Sequence, residues 1–144
     1  MHIPEHLQPH VEHGALIVLA DSVQAHLWYA AKDMMDEVGT IALPRTLDTD
    51  HEGSFVNTDN GSVSSVEPSD DDRLHKFIKQ MEHEVETQIQ THPVKLVHLV
   101  MPARIAHLLR NALSPMTQKL IGQEVDHDLI KTSMTEVLEK IFKV

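Results

Sequence analysis

The pattern of apolar and polar positions changes character along the chain, and each change marks an element. Ala15 to Ala20, within "GALIVLAD", is a continuous aliphatic run stopped by Asp21-Ser22, the pattern of a strand buried on both faces. "VQAHLWYA" alternates instead, with Val23, Ala25, Leu27 and Tyr29 on one side and Gln24, His26 and Trp28 on the other. That alternation predicts a second strand with one wetter face, and the short turn between the two predicts a hairpin. A third strand is expected around Val38 to Leu43, ended by Pro44.

From Arg45 to Asp71 the composition turns to Gly, Ser, Asn, Asp and Thr, a loop far longer than the roughly four to six residues usual between elements. Leu74, Phe77, Ile78, Met81, Val85 and Ile89 then recur at helical spacing behind a capping Ser69 and the acidic Asp70, Asp71 and Asp72. They predict a long helix over Asp70–Thr91, stopped by His92-Pro93. "VKLVHLV" is a fourth strand, and Pro102 opens the helix "PARIAHLLRNAL". Ser114-Pro115 caps a short helical piece reaching Leu120, and "IGQEV" gives a fifth strand. Ser133 and Glu136 form a capping box for a last helix whose stripe is Met134, Val137, Leu138, Ile141 and Phe142. Three strands followed by strand-helix alternation predict a single α/β domain with a five-stranded mixed sheet flanked by helices. Residues 1–13, with Pro4, Pro9 and four histidines, read as a flexible His-rich lead to a domain spanning 14–144.

Composition narrows the function. A chain of 144 residues can bury roughly 68–70% of its unfolded surface, enough for one core. Twelve Lys+Arg against 22 Asp+Glu give a net charge of −10, which repels phosphate backbones and anionic lipid; direct DNA binding and membrane association are not expected. The absence of cysteine excludes disulfides, thiolate metal sites and a cysteine nucleophile. No apolar run approaches the roughly 20 residues a bilayer requires. "MHIPEHLQPHVEH" has neither the basic start nor the apolar core of a secretory signal, so a cytoplasmic location is expected.

Candidate chemistry concentrates in "PARIAHLLRNAL". On a helical wheel Ile105, Leu108, Leu109, Ala112 and Leu113 cluster on one side, while Arg104, His107, Arg110 and Asn111 share the other. The N–H groups at the helix start and the nearby Arg104 favour an anion there, making Arg104, His107 and Arg110 candidates for an anion or partner site. The alternative is an ordinary solvated back, with Arg104 fixed by a carboxylate such as Asp126 or Asp128. His2, His6, His10 and His13 follow at spacings of four, four and three, so His6, His10 and His13 are candidate metal ligands. Pro9 argues against a continuous helix there, and a tail that binds metal sporadically is the alternative. No resident metal or cofactor is expected. His26 and His98 read as satisfied strand histidines.

"ALIVLADSVQAHLWYA" resembles the N-terminal strand pair of the bacterial family named for a protein required for attachment to host cells. "LVHLVMPARIAHLLRNALSPMTQKLIGQEVDHDLIKTSMTEVL" resembles its C-terminal half through the Pro-Ala-Arg start, the Leu-Leu-Arg-Asn-Ala-Leu-Ser helix end and the Val-Asp-His-Asp-Leu pattern; together the two stretches cover about 60 of the 144 residues. The resemblance implies a ribonuclease H-like fold similar to the middle domain of eukaryotic and archaeal peptide-chain release factors. In those factors a Gly-Gly-Gln tripeptide in the long loop promotes peptidyl-tRNA hydrolysis. Here the comparable stretch reads His51-Glu52-Gly53-Ser54-Phe55 and Gly-Gly-Gln occurs nowhere, so that activity is not carried over, and Gly53 and Ser54 stand only as partner-binding candidates. The expected function is a non-catalytic interaction domain, associated with the ribosome or another protein. The alternatives are an adaptor acting indirectly on cell attachment and a metal-dependent ribonuclease H-like nuclease using Asp21, Glu82 and Asp126 or Asp128. The sequence leaves the oligomeric state open.

Overall fold

A computed structural model describes residues 1–42 and 70–144. The expected loop lies outside the described residues except for Asp70 and Asp71, which already belong to a helix. The described elements are α1 (Gln8–Val11), β1 (Ala15–Ala20), β2 (Gln24–Ala31), β3 (Met34–Ala42), α2 (Asp70–Thr91), β4 (Leu96–Val100), α3 (Ala103–Ala112), α4 (Pro115–Gln118), β5 (Ile121–Val125) and α5 (Met134–Phe142). The strands form one sheet in the order β3-β2-β1-β4-β5. β1 runs antiparallel to β2 and parallel to β4, β2 is antiparallel to β3, and β4 is parallel to β5. The expected α/β domain with a five-stranded mixed sheet is therefore what the chain forms.

β1 is buried along its whole length because helices cover both faces of the sheet. Leu16, Val18 and Ala20 pack against Phe77, Met81 and Val85 of α2 and Ile105 and Leu109 of α3. Ala15, Ile17 and Leu19, pointing the other way, pack with Val137, Leu138 and Ile141 of α5. The period-2 alternation of a strand thus splits one aliphatic run between two cores.

The lead requires a correction. Ile3, Leu7 and Val11 are at most 1% exposed and belong to the second core. Ile3 beside the His2–Met34 bridge, Leu7 at the N-cap of α1 and Val11 at its last residue all turn inward, while the intervening histidines and prolines make the segment look polar in a residue count. Pro9 sits at the start of α1, where a missing N–H costs nothing.

Three smaller differences have local causes. β3 begins at Met34 rather than near Val38, because the tight Ala31–Met34 hairpin turn, with Lys32 at φ 58°, pairs the polar Asp36 and Glu37 with Tyr29 and Trp28. Opposite Leu27 and Trp28 the register shifts and Val38 bulges. On α3, Ala112 is exposed and Ala106 takes its place in the core. At Gly14, φ is 103° and a Cβ would lie 2.1 Å from the Pro93 carbonyl oxygen, so only glycine lets β1 start this close to the loop that leads into β4.

Candidate functional site

α3 follows β4 through Pro102, which supplies no side-chain cap. The vacancy is filled from the end of β5: Asp126 Oδ1 accepts the Ala103 N–H at 2.9 Å, placing a carboxylate on the positive end of the helix. The anion expected at this start is thus supplied by the chain itself. Two helical turns on, Arg110 donates through Nη1 to Glu124 Oε2 of β5. Arg110 Nη2 lies 3.5 Å from His107 Nδ1, and Asn111 Nδ2 lies 3.1 Å from His107 Nε2. Guanidinium and amide nitrogens only donate and a neutral imidazole accepts at one nitrogen, so His107 bonds one of these two neighbours on the outer face of α3, while Arg110 is tied to β5. Arg104 is exposed at the start of the same helix. This surface offers guanidinium and amide donors in held positions, suited to carboxylate or phosphate oxygens, with Glu124 and Asp126 limiting its positive charge.

The C-terminal end of α3 is braced from behind. Glu86 of α2 accepts the Ser114 N–H through Oε2 at 2.9 Å and the Thr117 hydroxyl through Oε1 at 2.7 Å, while Ser114 Oγ caps α4 by accepting the Thr117 N–H. Partial burial works to raise the Glu86 pKa, but the hydrogen bonds from Ser114 and Thr117 outweigh it and hold the carboxyl below its ordinary value. Glu86 lies outside every motif read from the sequence. Its signal was a carboxylate next to the apolar stripe position Val85, facing a Ser-Pro-x-Thr turn that needs acceptors.

His98 sits where β4 and β5 lose register, between the pairs Val97–Ile121 and Leu99–Glu124. Its Nδ1 accepts the Gln123 N–H at 3.0 Å, repairing the ladder with a side chain. A Cβ on Gly122 would come within 2.8 Å of the ring, so glycine is what lets the imidazole lie against β5. The ring is 1% exposed, burial lowers its pKa from 6.5 to about 4, and it meets Phe142 edge to face at 5.2 Å. Because Nδ1 accepts, Nε2 carries the proton, and among the described residues it has no partner. His98 is thus a core histidine, as expected, but one satisfied on one side only. His26 fits its expectation, with Nδ1 2.6 Å from Glu37 Oε2.

The other candidates are dispersed. His6 Nε2 lies 3.1 Å from Glu139 Oε2, His10 stacks on Phe142 at 4.6 Å, and His13 Nε2 is 3.9 Å from Glu12. Among the described residues no group of three or more His, Asp or Glu side chains is placed to hold a metal ion. Asp21 Oδ1 accepts the N–H groups of Val23 and Gln24 at 2.8 and 2.9 Å, the local bonding that makes aspartate common at turns. Asp128 Oδ1 accepts the Ile130 N–H at 3.3 Å. Gly53 and Ser54 lie outside the described residues. No helix among the described residues is long and apolar enough to cross a membrane.

Comparison with known proteins agrees with this architecture. The profile of the family described as "protein required for attachment to host cells" matches residues 16–141. Among solved structures, the archaeal translation termination factor aRF1 superposes on 99% of the chain with a TM-score of 0.57 at 14% identity, and a structure described only as an archaeal protein on 98% with a TM-score of 0.51 at 11% identity. Dom34 of S. cerevisiae, a translation termination-like factor, covers 88% at 10% identity with a TM-score of 0.47. The chain spans 39%, 40% and 34% of these three proteins respectively. No curated protein matches the chain by sequence.

Proposed function

For this chain, which belongs to the family of proteins required for attachment to host cells, we propose a non-catalytic role as an interaction domain that meets its partner through the outer face of α3 and the adjoining β5. The observation that carries this reading is Arg110, on the outer face of α3 yet fixed to Glu124, since a donor held in place loses little freedom when a partner arrives. A non-catalytic role is supported by the use of the nominated carboxylates Asp21 and Asp126 in main-chain hydrogen bonds.

The partner class we propose is the translation machinery, and the fold we propose is of the ribonuclease H-like kind. The likeness to an archaeal translation termination factor supports both by fold analogy. Peptidyl-tRNA hydrolysis is left out, because the chain has no Gly-Gly-Gln.

Co-sedimentation of the protein with purified ribosomes at low and moderate salt tests the reading. Wild type should pellet with ribosomes, and the Arg104→Ala, Arg110→Ala double variant should pellet about tenfold less while keeping its fold, with stability lowered by the loss of the Arg110–Glu124 pair by about 1 kcal/mol at most. Absence of wild-type pelleting would reject the ribosome as partner, and equal pelleting of the variant would reject this face.

A further inference from the structure

At the end of the sheet where β1, β4 and β5 begin, we propose that Lys95, Lys119, Lys140 and Lys143 take the phosphates of a single-stranded nucleic acid whose unpaired bases stack on the outer faces of His10 and His92. This surface is separate from the outer face of α3.

The topology gathers these residues. β1, β4 and β5 run parallel, so the residues leading into them share one end. There the Gly14 carbonyl accepts the Lys95 N–H at 2.9 Å, and Lys119 precedes Leu120, whose carbonyl accepts the Val97 N–H at 2.9 Å. α5 brings its C-terminal end to the same place, since Phe142 stacks at 4.6 Å on His10, a few residues before Gly14. Lys140 lies in the last turn of that helix and Lys143 is its C-cap. All four lysines are exposed, and among the described residues none has an ion pair or a side-chain hydrogen bond.

In a chain where acidic residues outnumber basic ones by 22 to 12, four such lysines at one end repel one another until an anion joins them. The bordering carboxylates Glu12 and Glu139 each face a histidine, His13 at 3.9 Å and His6 at 3.1 Å. Only towards the turn after β2 does the sign even out, where Glu12 and Asp33 line a cavity with Lys32. Asp21, Asp126 and Asp128 follow β1 and β5 at the far end of the sheet, where β3 also ends at Ala42 and α2 begins at Asp70. The six residues of β1 hold the two ends about 20 Å apart, twice the roughly 10 Å over which 0.1 M salt screens a charge. The net charge of −10 therefore does not set the potential at the lysines.

Rings decide which polyanion fits. Two stacked pairs flank the junction of Gly14 with Lys95: His10 on Phe142, and Tyr29 on His92 at 4.5 Å, where the Tyr29 hydroxyl donates to the Pro93 carbonyl at 2.9 Å. Each imidazole turns one face to its partner, and with His10 exposed and His92 half-buried the second face is left for a base. Flat rings set among lysines suit a single strand, whose backbone is held by charge and whose bases stack without regard to sequence. A duplex keeps its bases inside and an acidic peptide has none, so neither can use the rings.

The test uses the full chain at about pH 8, where exposed histidines are neutral, and a fluorescent dodecauridylate followed by anisotropy. Binding should saturate at low salt, and log Kd should rise with log salt at a slope of about 2.8, roughly 0.7 for each of the four lysines. The Lys95→Gln, Lys119→Gln variant should bind about tenfold more weakly with the slope lowered by about 1.4. His10→Ala should bind about tenfold more weakly with the slope unchanged, both variants keeping the wild-type circular dichroism spectrum. A duplex of the same length and a polyglutamate of equal charge should each bind at least about tenfold more weakly than the single strand. No saturation, equal affinity for the duplex or the polyglutamate, or unchanged affinity of the lysine variant would each overturn the proposal. The Arg104→Ala, Arg110→Ala variant should bind the oligonucleotide as wild type does, which separates this result from the ribosome experiment.

Discussion

The two faces of the sheet are covered by different kinds of chain. Over one lie α2 and α3, whose contacts at Phe77, Met81, Val85, Ile105 and Leu109 are apolar throughout. Over the other lie the N-terminal segment and α5, with an equally buried centre at Ile3, Leu7, Leu138 and Ile141 but a rim of histidines. His6 meets Glu139, His10 stacks on Phe142, and His98 meets the same phenyl ring from inside. Burial of like extent therefore places a buried imidazole, His98, on one face and, among the described residues, none on the other.

The sharpest way to break this comparison is to cut each face at its centre. Phe77→Ala should destabilise the domain by about 3–5 kcal/mol and Leu7→Ala by about 2–5 kcal/mol in chemical denaturation near pH 7.5, through lost burial and a cavity. A loss below about 0.5 kcal/mol for Leu7→Ala would make the first thirteen residues an appendage and leave the sheet with one true core.

The second test separates the faces by pH. His98 is held neutral in the folded protein, its pKa lowered by burial from 6.5 to about 4, so as pH falls the unfolded chain takes up this proton first. The stability tied to His98 is complete above about pH 6.5, declines between pH 6.5 and 4, and is gone below, a change of about 3 kcal/mol. His98→Gln, which keeps an acceptor for the Gln123 N–H, should lack that part of the slope. Parallel stability curves for the two proteins would show that His98 does not carry the slope.

Where hydrophobic spacing was strong, the sequence was legible. The Phe77, Met81 and Val85 stripe led directly to α2, and Ser133 caps α5 by accepting the Glu136 N–H as its motif predicted. The lead is hard to read because Ile3, Leu7 and Val11 are separated by histidine, glutamate and proline, and they meet one core from a β-bridge, a helix cap and a short helix in turn, with no single period. Site contacts were the least legible. Asp126 reaches Ala103 across 23 residues and Glu124 reaches Arg110 across 14, distances set by how β4, α3 and β5 pack. The helix wheel identified the polar face of α3 correctly, and it could not show that the chain's own carboxylates already engage it.

The brace at Glu86 bears on the lifetime of the fold. Its bonds to Ser114 and Thr117 span 28 and 31 residues, joining α2 to the turn across β4 and α3. An interaction of that span is expected to be absent from the folding transition state and to act on the unfolding rate. In a chevron plot, Glu86→Gln should therefore steepen the loss of native molecules by raising the unfolding arm while the refolding arm stays in place; a displaced refolding arm would move the α2–α3 junction into the nucleus. The carboxylate behaves as a latch, fastened last and felt mainly when the molecule begins to open.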